Sequence, residues 1–260
     1  MPLTYPRYLQ LEALLSLQQP HSEGPEHDEM LFIVIHQVYE LWFKQILHEL
    51  AYLKRSLLDG DTPTALATLK RVLTILKVLV SQIDVLETMT PIAFNSFRDR
   101  LDAASGFESA QFRELELTLG HKRPSVAARY PEGSAERRRL DELMAAPSVW
   151  DCFLRYLVLE GYTMPHAALE RLPHEPTAES PEVQEVLLDI YRHDPMVAQI
   201  CERFVDLDEG MQEWRYRHVK MVERTIGTKR GTGGSTGAEY LRTTIGKPLF
   251  PDLWAIRVRL

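Results

Sequence analysis

The side chains with the clearest chemical potential are two histidines, each in a long stretch of helical periodicity. His218 belongs to a stripe in which Met211, Trp214, Met221 and Thr225 recur at intervals of three and four residues. Such spacing places side chains on one face of an α-helix. Two methionines and a tryptophan around one imidazole are either ordinary core or the wall of a slot for a flat apolar cofactor such as haem, whose iron takes an axial nitrogen. Spacing alone leaves both interpretations open.

The second histidine, His36, lies in a segment, residues 27–50, that contains neither proline nor glycine. Phe32 precedes it by four residues, and this spacing places the aromatic ring and the imidazole on the same helix face. A buried imidazole needs a hydrogen-bond partner, whereas the helix backbone is already satisfied. His36 is therefore either a core residue with an internal partner or a residue that faces a ligand.

Two further features are candidates for binding a polar ligand. Phe94 and Arg98 are four residues apart on a helix predicted to begin at Pro91, and a pocket arginine can hold a carboxylate through two parallel hydrogen bonds. The glycine-rich run at 227–237 lacks the strand and the Gly-Lys-Ser/Thr ending of a phosphate-binding loop. That run is either a flexible linker or a loop that closes over a small ligand. Arg98 is likewise either a surface residue or a carboxylate clamp.

Motifs for a metal held by protein ligands alone do not occur in the sequence. A di-iron bundle needs Glu-x-x-His pairs and a zinc protease needs His-Glu-x-x-His, and neither pattern is found. The two cysteines, Cys152 and Cys201, form neither a disulfide framework nor a zinc site. This cysteine usage is typical of a reducing cytosol.

Composition is typical of a soluble globular protein, with 45% hydrophobic and 26% charged residues. A net charge of −7 argues against nucleic-acid binding. The N-terminus lacks the pattern of a signal peptide, and no stretch approaches the roughly 20 apolar residues that span a bilayer. We therefore expect a cytoplasmic protein with neither nucleic-acid nor membrane partners.

Helical periodicity dominates the chain, and strand-like alternation is nearly absent. The predicted helices span residues 8–17, 28–58, 62–86, 91–101, 108–119, 148–160, 182–192, 195–226 and 238–245. The longest far exceed the mean helix of about 11 residues, as in an antiparallel bundle. Prolines divide residues 120–181 into short helices and loops, which we interpret as an insertion that covers the long helices within one domain, residues 1–260.

Three separated blocks, in order, resemble the tryptophan 2,3-dioxygenase family. They are HDEMLFIVIHQVYELWFKQILHEL at 27–50, VLETMTPIAFNSFRDRL through SGFESAQFRELE at 85–116, and WRYRHVKMVERTIGTKRGTGGSTG at 214–237. The resemblance implies an all-α bundle of long antiparallel helices that holds haem b between helices, one per subunit of a homotetramer. It also implies that both atoms of the co-substrate O2 are inserted across the indole 2,3-bond of L-tryptophan. The product would be N-formyl-L-kynurenine, the first step of tryptophan catabolism by the kynurenine route.

The resemblance further implies roles for individual residues. His218 is expected to be the proximal ligand of the haem iron, with Trp214 and Ser105 in the haem pocket. His36 is the expected catalytic residue, with its imidazole facing the indole N–H, and Phe32 packs on the indole ring. Arg98 is expected to pair with the substrate carboxylate, Thr232 to contact its ammonium and carboxylate groups, and Phe94 to pack its ring on the substrate.

The family also lends an N-terminal arm to a neighbouring subunit. Residues 1–20 are expected to form that arm, with Tyr5, Tyr8 and Leu9 reaching the neighbour's pocket. One position departs from the bacterial family pattern, because Phe94 replaces a tyrosine. The ring can still pack on the substrate, but a hydrogen bond from the phenol to the carboxylate is lost.

The sequence leaves two alternative functions open. A non-catalytic haem-binding sensor or carrier would keep His218 and its apolar stripe but would have no use for Arg98 or Thr232. A purely structural helical oligomer would use every histidine as a core or surface residue.

Overall fold

The structure is a computed structural model that describes residues 2–24, 26–101, 106–227, 229 and 238–260. The chain is helical in these ranges and forms no strand there. Its helices are α1 (Tyr5–Tyr8), α2 (Leu11–Leu15), α3 (His27–Leu58), α4 (Thr62–Leu86), α5 (Pro91–Arg98), α6 (Ala110–Thr118), α7 (Pro124–Ala127), α8 (Ala135–Ala145), α9 (Val149–Leu159), α10 (His166–Leu169), α11 (Pro181–His193), α12 (Pro195–Ile226), α13 (Ala238–Arg242) and α14 (Pro251–Ala255). None of the helices in these ranges is long and apolar enough to cross a bilayer.

Three long helices, α3, α4 and α12, form the core of the bundle. A short turn at 59–61 joins α3 to α4, and the two pack along each other as an antiparallel pair. α12 also packs along α4, where Gly210 permits a close approach, since a Cβ at that position would lie 2.7 Å from Cδ2 of Leu76. Leu53 and Leu79, at 0% and 1% exposure, are typical of the core side chains. The predicted all-α bundle is confirmed.

Local capping explains where the long helices begin. Asp61 and Asp194 accept hydrogen bonds from backbone N–H groups in the first turns of α4 and α12, and both of those turns contain a proline. Thr90 caps α5 in the same way. A capping oxygen satisfies a donor that has no partner inside the helix, and proline has no such donor to satisfy. Asp28 and Glu29 place negative charge in the first turn of α3, where the helix dipole favours it.

The ends of the shorter helices differ from the sequence-based prediction. The single helix predicted at 8–17 is two helices, α1 and α2, because Gln10 between them has a left-handed backbone with φ 53°. α5 ends at Arg98, earlier than predicted, and α6 begins only after Ser109, whose hydroxyl caps its first turn. α13 ends at Arg242, which is also earlier than predicted.

Residues 120–181 pack directly on the bundle. α9 lies along α3, and its Trp150 and Phe153 are buried in the main core. α8 packs on α6 around a second, smaller cluster that includes Leu140. The interpretation of this segment as an insertion stays a prediction.

Candidate active site

A large cavity lies between α3, α4, α5, α6, α12 and α13. Its volume is about 220 Å³, whereas one water molecule needs about 10–15 Å³ on the same scale. Most of its walls are apolar and aromatic side chains, with imidazole, guanidinium and carboxylate groups at a few points. Such a cavity is the preferred kind of site for a small ligand or cofactor.

His218 forms part of the wall that α12 contributes. Its ring lies parallel to that of Trp214, with an interplanar angle of 5° and a centroid separation of 5.1 Å. Trp214 packs in turn against Phe43 and Phe112. Burial lowers the pKa of His218 to about 4, with help from the charges of His36 and Arg113. The imidazole is therefore neutral at pH 7, and a neutral ring can offer its nitrogen to a metal.

His36 lies in the wall formed by α3. Its Nδ1 lies 2.7 Å from the carbonyl oxygen of Phe32. A carbonyl only accepts hydrogen bonds, so Nδ1 carries the proton and donates, and Nε2 of the neutral ring is left as an acceptor. Burial lowers the pKa of His36, although the bond to Phe32 and the charge of Glu40 oppose it. Gly106 lies beside the Nε2 edge, since a Cβ there would be 3.8 Å from that atom.

An aromatic cluster joins this wall to α5. The ring of Phe32 lies 5.8 Å from that of Phe94 and 5.6 Å from that of Phe97, measured between centroids. Phe97 is fully buried, so it anchors α5, while Phe94 borders the cavity. Arg98 follows at the end of α5 and also borders the cavity. Two flat rings, an acceptor nitrogen and a guanidinium thus surround one part of the space.

A buried ionic cluster that was not predicted from the sequence closes another side of the cavity. The carboxylate of Glu116 accepts hydrogen bonds from Arg113 at 2.7 Å, from Arg123 at 2.6 Å and from Arg215 at 3.3 Å. The side chains of Glu116 and Arg215 are each 3% exposed. The sequence signal in α6 was three charged residues, Arg113, Glu114 and Glu116, among its apolar ones.

Cationic groups of this cluster border the cavity and suit an acidic group of a cofactor. Arg113 and Arg215 both contribute to the cavity wall. The Nε of Arg215 is buried and has no hydrogen-bond partner among the residues that the structure describes. A guanidinium is the side chain best suited to a planar carboxylate.

The structure brings together most of the site residues that the sequence predicted. The side chains that border the cavity are Phe32, His36, Phe94, Arg98, Trp214 and His218. Tyr5, Tyr8 and Leu9 lie elsewhere, on and after α1, and are exposed at 72%, 70% and 40%. Ser105 and Thr232 lie outside the described residues.

Acidic, cysteine and histidine side chains do not form a metal centre by themselves in the described part of the chain. No group of three or more of them comes close enough to hold an ion there. A metal bound to His218 would need its other ligands from a cofactor, and a porphyrin supplies four nitrogens. The fold and the cavity thus define a helical-bundle protein with a large, mostly apolar and aromatic cavity that two imidazoles and several guanidinium groups border.

Comparison with known proteins identifies the family. The family model described as "Tryptophan 2,3-dioxygenase" matches residues 1–150 and 169–260. A tryptophan 2,3-dioxygenase of Anaeromyxobacter sp. (strain K) is 61% identical, with 98% of this chain and 95% of the relative aligned. Those of Herpetosiphon aurantiacus and Caulobacter vibrioides are 57% and 44% identical, each over 99% of this chain and 98% of its own length. The chain belongs to the tryptophan 2,3-dioxygenase family.

Proposed function

We propose that this protein is a haem-dependent dioxygenase that inserts both atoms of O2 across the indole 2,3-bond of L-tryptophan to give N-formyl-L-kynurenine. This reaction is the first step of tryptophan catabolism by the kynurenine route. The observation that carries the proposal is the cavity itself, in which a neutral His218 and the substrate-binding candidates Phe32, His36 and Arg98 border one space. The names of the relatives agree with it and do not favour a non-catalytic haem carrier.

The proposed cofactor is haem b, one per subunit. His218 would bind the iron, Trp214 would pack beside it, and Arg113 and Arg215 border the cavity where acidic groups of the cofactor can be paired. Ser105 is proposed for the distal side of the same pocket. The haem iron, when bound, supplies the activation of O2. The protein's own residues then have only to hold the indole in the correct place.

We propose an orientation of the substrate that agrees with the side chains in the walls. Phe32 and Phe94 would pack against the indole, and Nε2 of His36 would accept from the indole N–H. Arg98 is proposed to pair with the substrate carboxylate, and Thr232 to contact the carboxylate and ammonium groups. Holding two reactants in a near-attack arrangement lowers the barrier without acid or base chemistry from the protein.

Assembly and location complete the proposal. Tyr5, Tyr8 and Leu9 are exposed, which is consistent with their packing on a neighbouring subunit of a homotetramer. Leu14 and Leu15 on α2 are exposed as well, at 36% and 72%. Apolar side chains clustered on one exposed segment are typical of a surface that another chain covers. We place the enzyme in the cytoplasm.

Replacement of His218 by alanine tests the cofactor. His218→Ala should abolish stable haem binding and leave a folded helical protein, because no other imidazole borders this wall of the cavity in the described residues. The measurements are the haem absorbance spectrum and far-ultraviolet circular dichroism. The matched control is His121→Ala, because burial also lowers the pKa of His121 to about 4 but its side chain does not border the cavity. Full haem occupancy in His218→Ala would refute the assignment of the ligand.

Replacement of His36 tests the role of its acceptor nitrogen. His36→Ala should lower activity without eliminating it, because one neutral hydrogen bond contributes roughly 0.5–1.5 kcal/mol, or about a factor of 2 to 13. The variant should still oxidise a substrate methylated at the indole nitrogen, provided that the cavity admits it. A loss of many orders of magnitude in kcat/KM, with structure and haem intact, would instead require an acid–base role for His36.

A comparison of two substrates tests the carboxylate clamp. Arg98→Ala should weaken the binding of L-tryptophan far more than the binding of tryptamine, which has no carboxylate. The reason is that a charge-assisted hydrogen bond to the carboxylate contributes about 1.5–3 kcal/mol. Arg100→Ala is the matched control, since its exposed side chain pairs with Glu26 on the surface. Phe94→Tyr should be tolerated, because the ring already fits and its hydroxyl would point toward the same carboxylate. An equal rise in KM for both substrates would show that Arg98 stabilises the fold and does not bind the carboxylate.

A further inference from the structure

α12 carries a line of polar side chains that is separate from the stripe around His218. Asp208, Gln212 and Arg215 are four and three residues apart, which places them along one side of the helix. All three form hydrogen bonds with the chain that follows α13, within residues 244–254. We call these three residues the polar line. The ligands considered above give a use to Arg215, but they do not explain why Asp208 and Gln212 are polar.

The first half of the contact lies next to the cavity. Nη1 of Arg215 donates to the carbonyl oxygens of Thr244 at 3.3 Å and Lys247 at 3.4 Å. Nε2 of Gln212 donates to the same carbonyl of Lys247 at 2.6 Å, and its Oε1 accepts from the backbone N–H of Gly246 at 3.0 Å. The amide of Gln212 is therefore used at both ends, as donor and as acceptor.

Gly246 marks a tight turn at this point. Its φ is 74°, in the left-handed region that only glycine adopts without strain. The turn directs both the N–H of Gly246 and the carbonyl of Lys247 toward Gln212. One glutamine thus fixes the conformation of the turn as well as its position on α12.

The second half of the contact anchors the chain further on. Oδ2 of Asp208 accepts from the backbone N–H groups of Leu249 at 2.7 Å and Phe250 at 3.1 Å, and from Nε1 of Trp254 at 3.0 Å. Asp208 is fully buried, at 0% exposure, so these donors take the place of water at Oδ2. Phe250 is fully buried too, and this end of the segment is held by the core itself.

The segment held at 244–247 continues directly from the cavity wall. Leu241 on α13 and Thr244 just after it border the cavity. The other end of the Arg215 guanidinium donates to Glu116, whose carboxylate borders the same cavity. The polar line, together with the ion pair between Arg242 and Glu223, therefore ties the wall at Leu241 and Thr244 to α12, the helix that carries His218.

We propose that the polar line is a positioning device that fixes the Leu241–Thr244 wall in advance of binding, and that Gln212 is a positioning residue for the substrate L-tryptophan. The inference rests on the proposed function, because it takes L-tryptophan as a ligand of the cavity that this wall borders. A wall that is already ordered costs less conformational entropy when the ligand binds. Loss of the contact should therefore raise KM while leaving kcat nearly unchanged.

The test compares two glutamines that hold different parts of the same terminal segment. Gln212→Ala removes both hydrogen bonds to the turn, and alanine is favourable within a helix. Gln184→Ala is the matched control, because Gln184 is also half-buried and its Nε2 donates to Asp252 at 3.0 Å, beyond the cavity wall. The haem-loaded variants are compared in KM and kcat for L-tryptophan, in haem content and in amide hydrogen exchange of a peptide covering residues 243–250.

We expect Gln212→Ala to raise KM about 3- to 10-fold, which lies within the roughly 2- to 13-fold that one neutral hydrogen bond can produce. Haem content and kcat should stay within about twofold, and the 243–250 peptide should exchange faster than in the wild type. Gln184→Ala should leave KM and the exchange of that peptide unchanged.

Three results would overturn the inference. Faster exchange with an unchanged KM would show that the wall is held but does not affect the substrate. Unchanged exchange in Gln212→Ala would show that the polar line does not hold the wall. An equal rise of KM in Gln184→Ala would show a general loss of stability. Failure of the proposed function is distinct from all three, because it appears as a wild-type protein that does not oxidise L-tryptophan, whatever the exchange shows.

Discussion

The shape of the cavity depends most on the ion pairs that the buried carboxylate of Glu116 forms with three arginines. Burial alone would raise the pKa of this carboxyl, but the charges of Arg113, Arg123 and Arg215 outweigh burial and lower it, so the group stays ionised. These arginines come from α6, from the chain that follows α6 and from α12, and Arg215 extends the link to Thr244 and Lys247. Removing one member of a buried ion pair typically costs about 3–5 kcal/mol, because the remaining charge is left without compensation. α6, α12 and the chain that follows α13 are thus joined at one point beside the cavity.

The two histidines of the cavity are neutral for the same physical reason, since burial is the largest cause that lowers the pKa of each. They differ in what the neutral ring can do. The Nδ1–H of His36 is committed to the carbonyl of Phe32, and its Nε2 is left as an acceptor. Acid below its lowered pKa would protonate that nitrogen and remove the acceptor, whereas at pH 7 the neutral ring can accept a hydrogen bond from a donor. His218 has an aromatic ring parallel to it and apolar surroundings, which suit a metal ligand. The protein's contribution to the proposed chemistry is therefore placement of the reactants.

Periodicity predicted α3, α4 and α12 nearly to the residue, because each is a long helix whose core stripe repeats many times. Spacing also predicted that Phe32 and His36, and likewise Phe94 and Arg98, would share helix faces, and the structure adds that both pairs border one cavity. The ends of short helices were less predictable, because a single local feature decides each of them. Examples are the left-handed backbone of Gln10 and the hydrogen bond by which Ser109 caps α6. The contact between Arg215 and Glu116 joins residues 99 apart in the sequence, and no local pattern indicates it. For the same reason the sequence did not predict the polar line, whose partners are backbone atoms of a later segment.

The most direct measurement of the central claim is the fate of isotopically labelled dioxygen. Haem-loaded ferrous protein is mixed with L-tryptophan and dioxygen labelled with oxygen-18, and the product is examined by mass spectrometry. The account predicts N-formyl-L-kynurenine that carries both labelled atoms, at a rate that depends on the presence of haem. A product with one labelled atom and one from water, or no product from a fully haem-loaded protein, would contradict it.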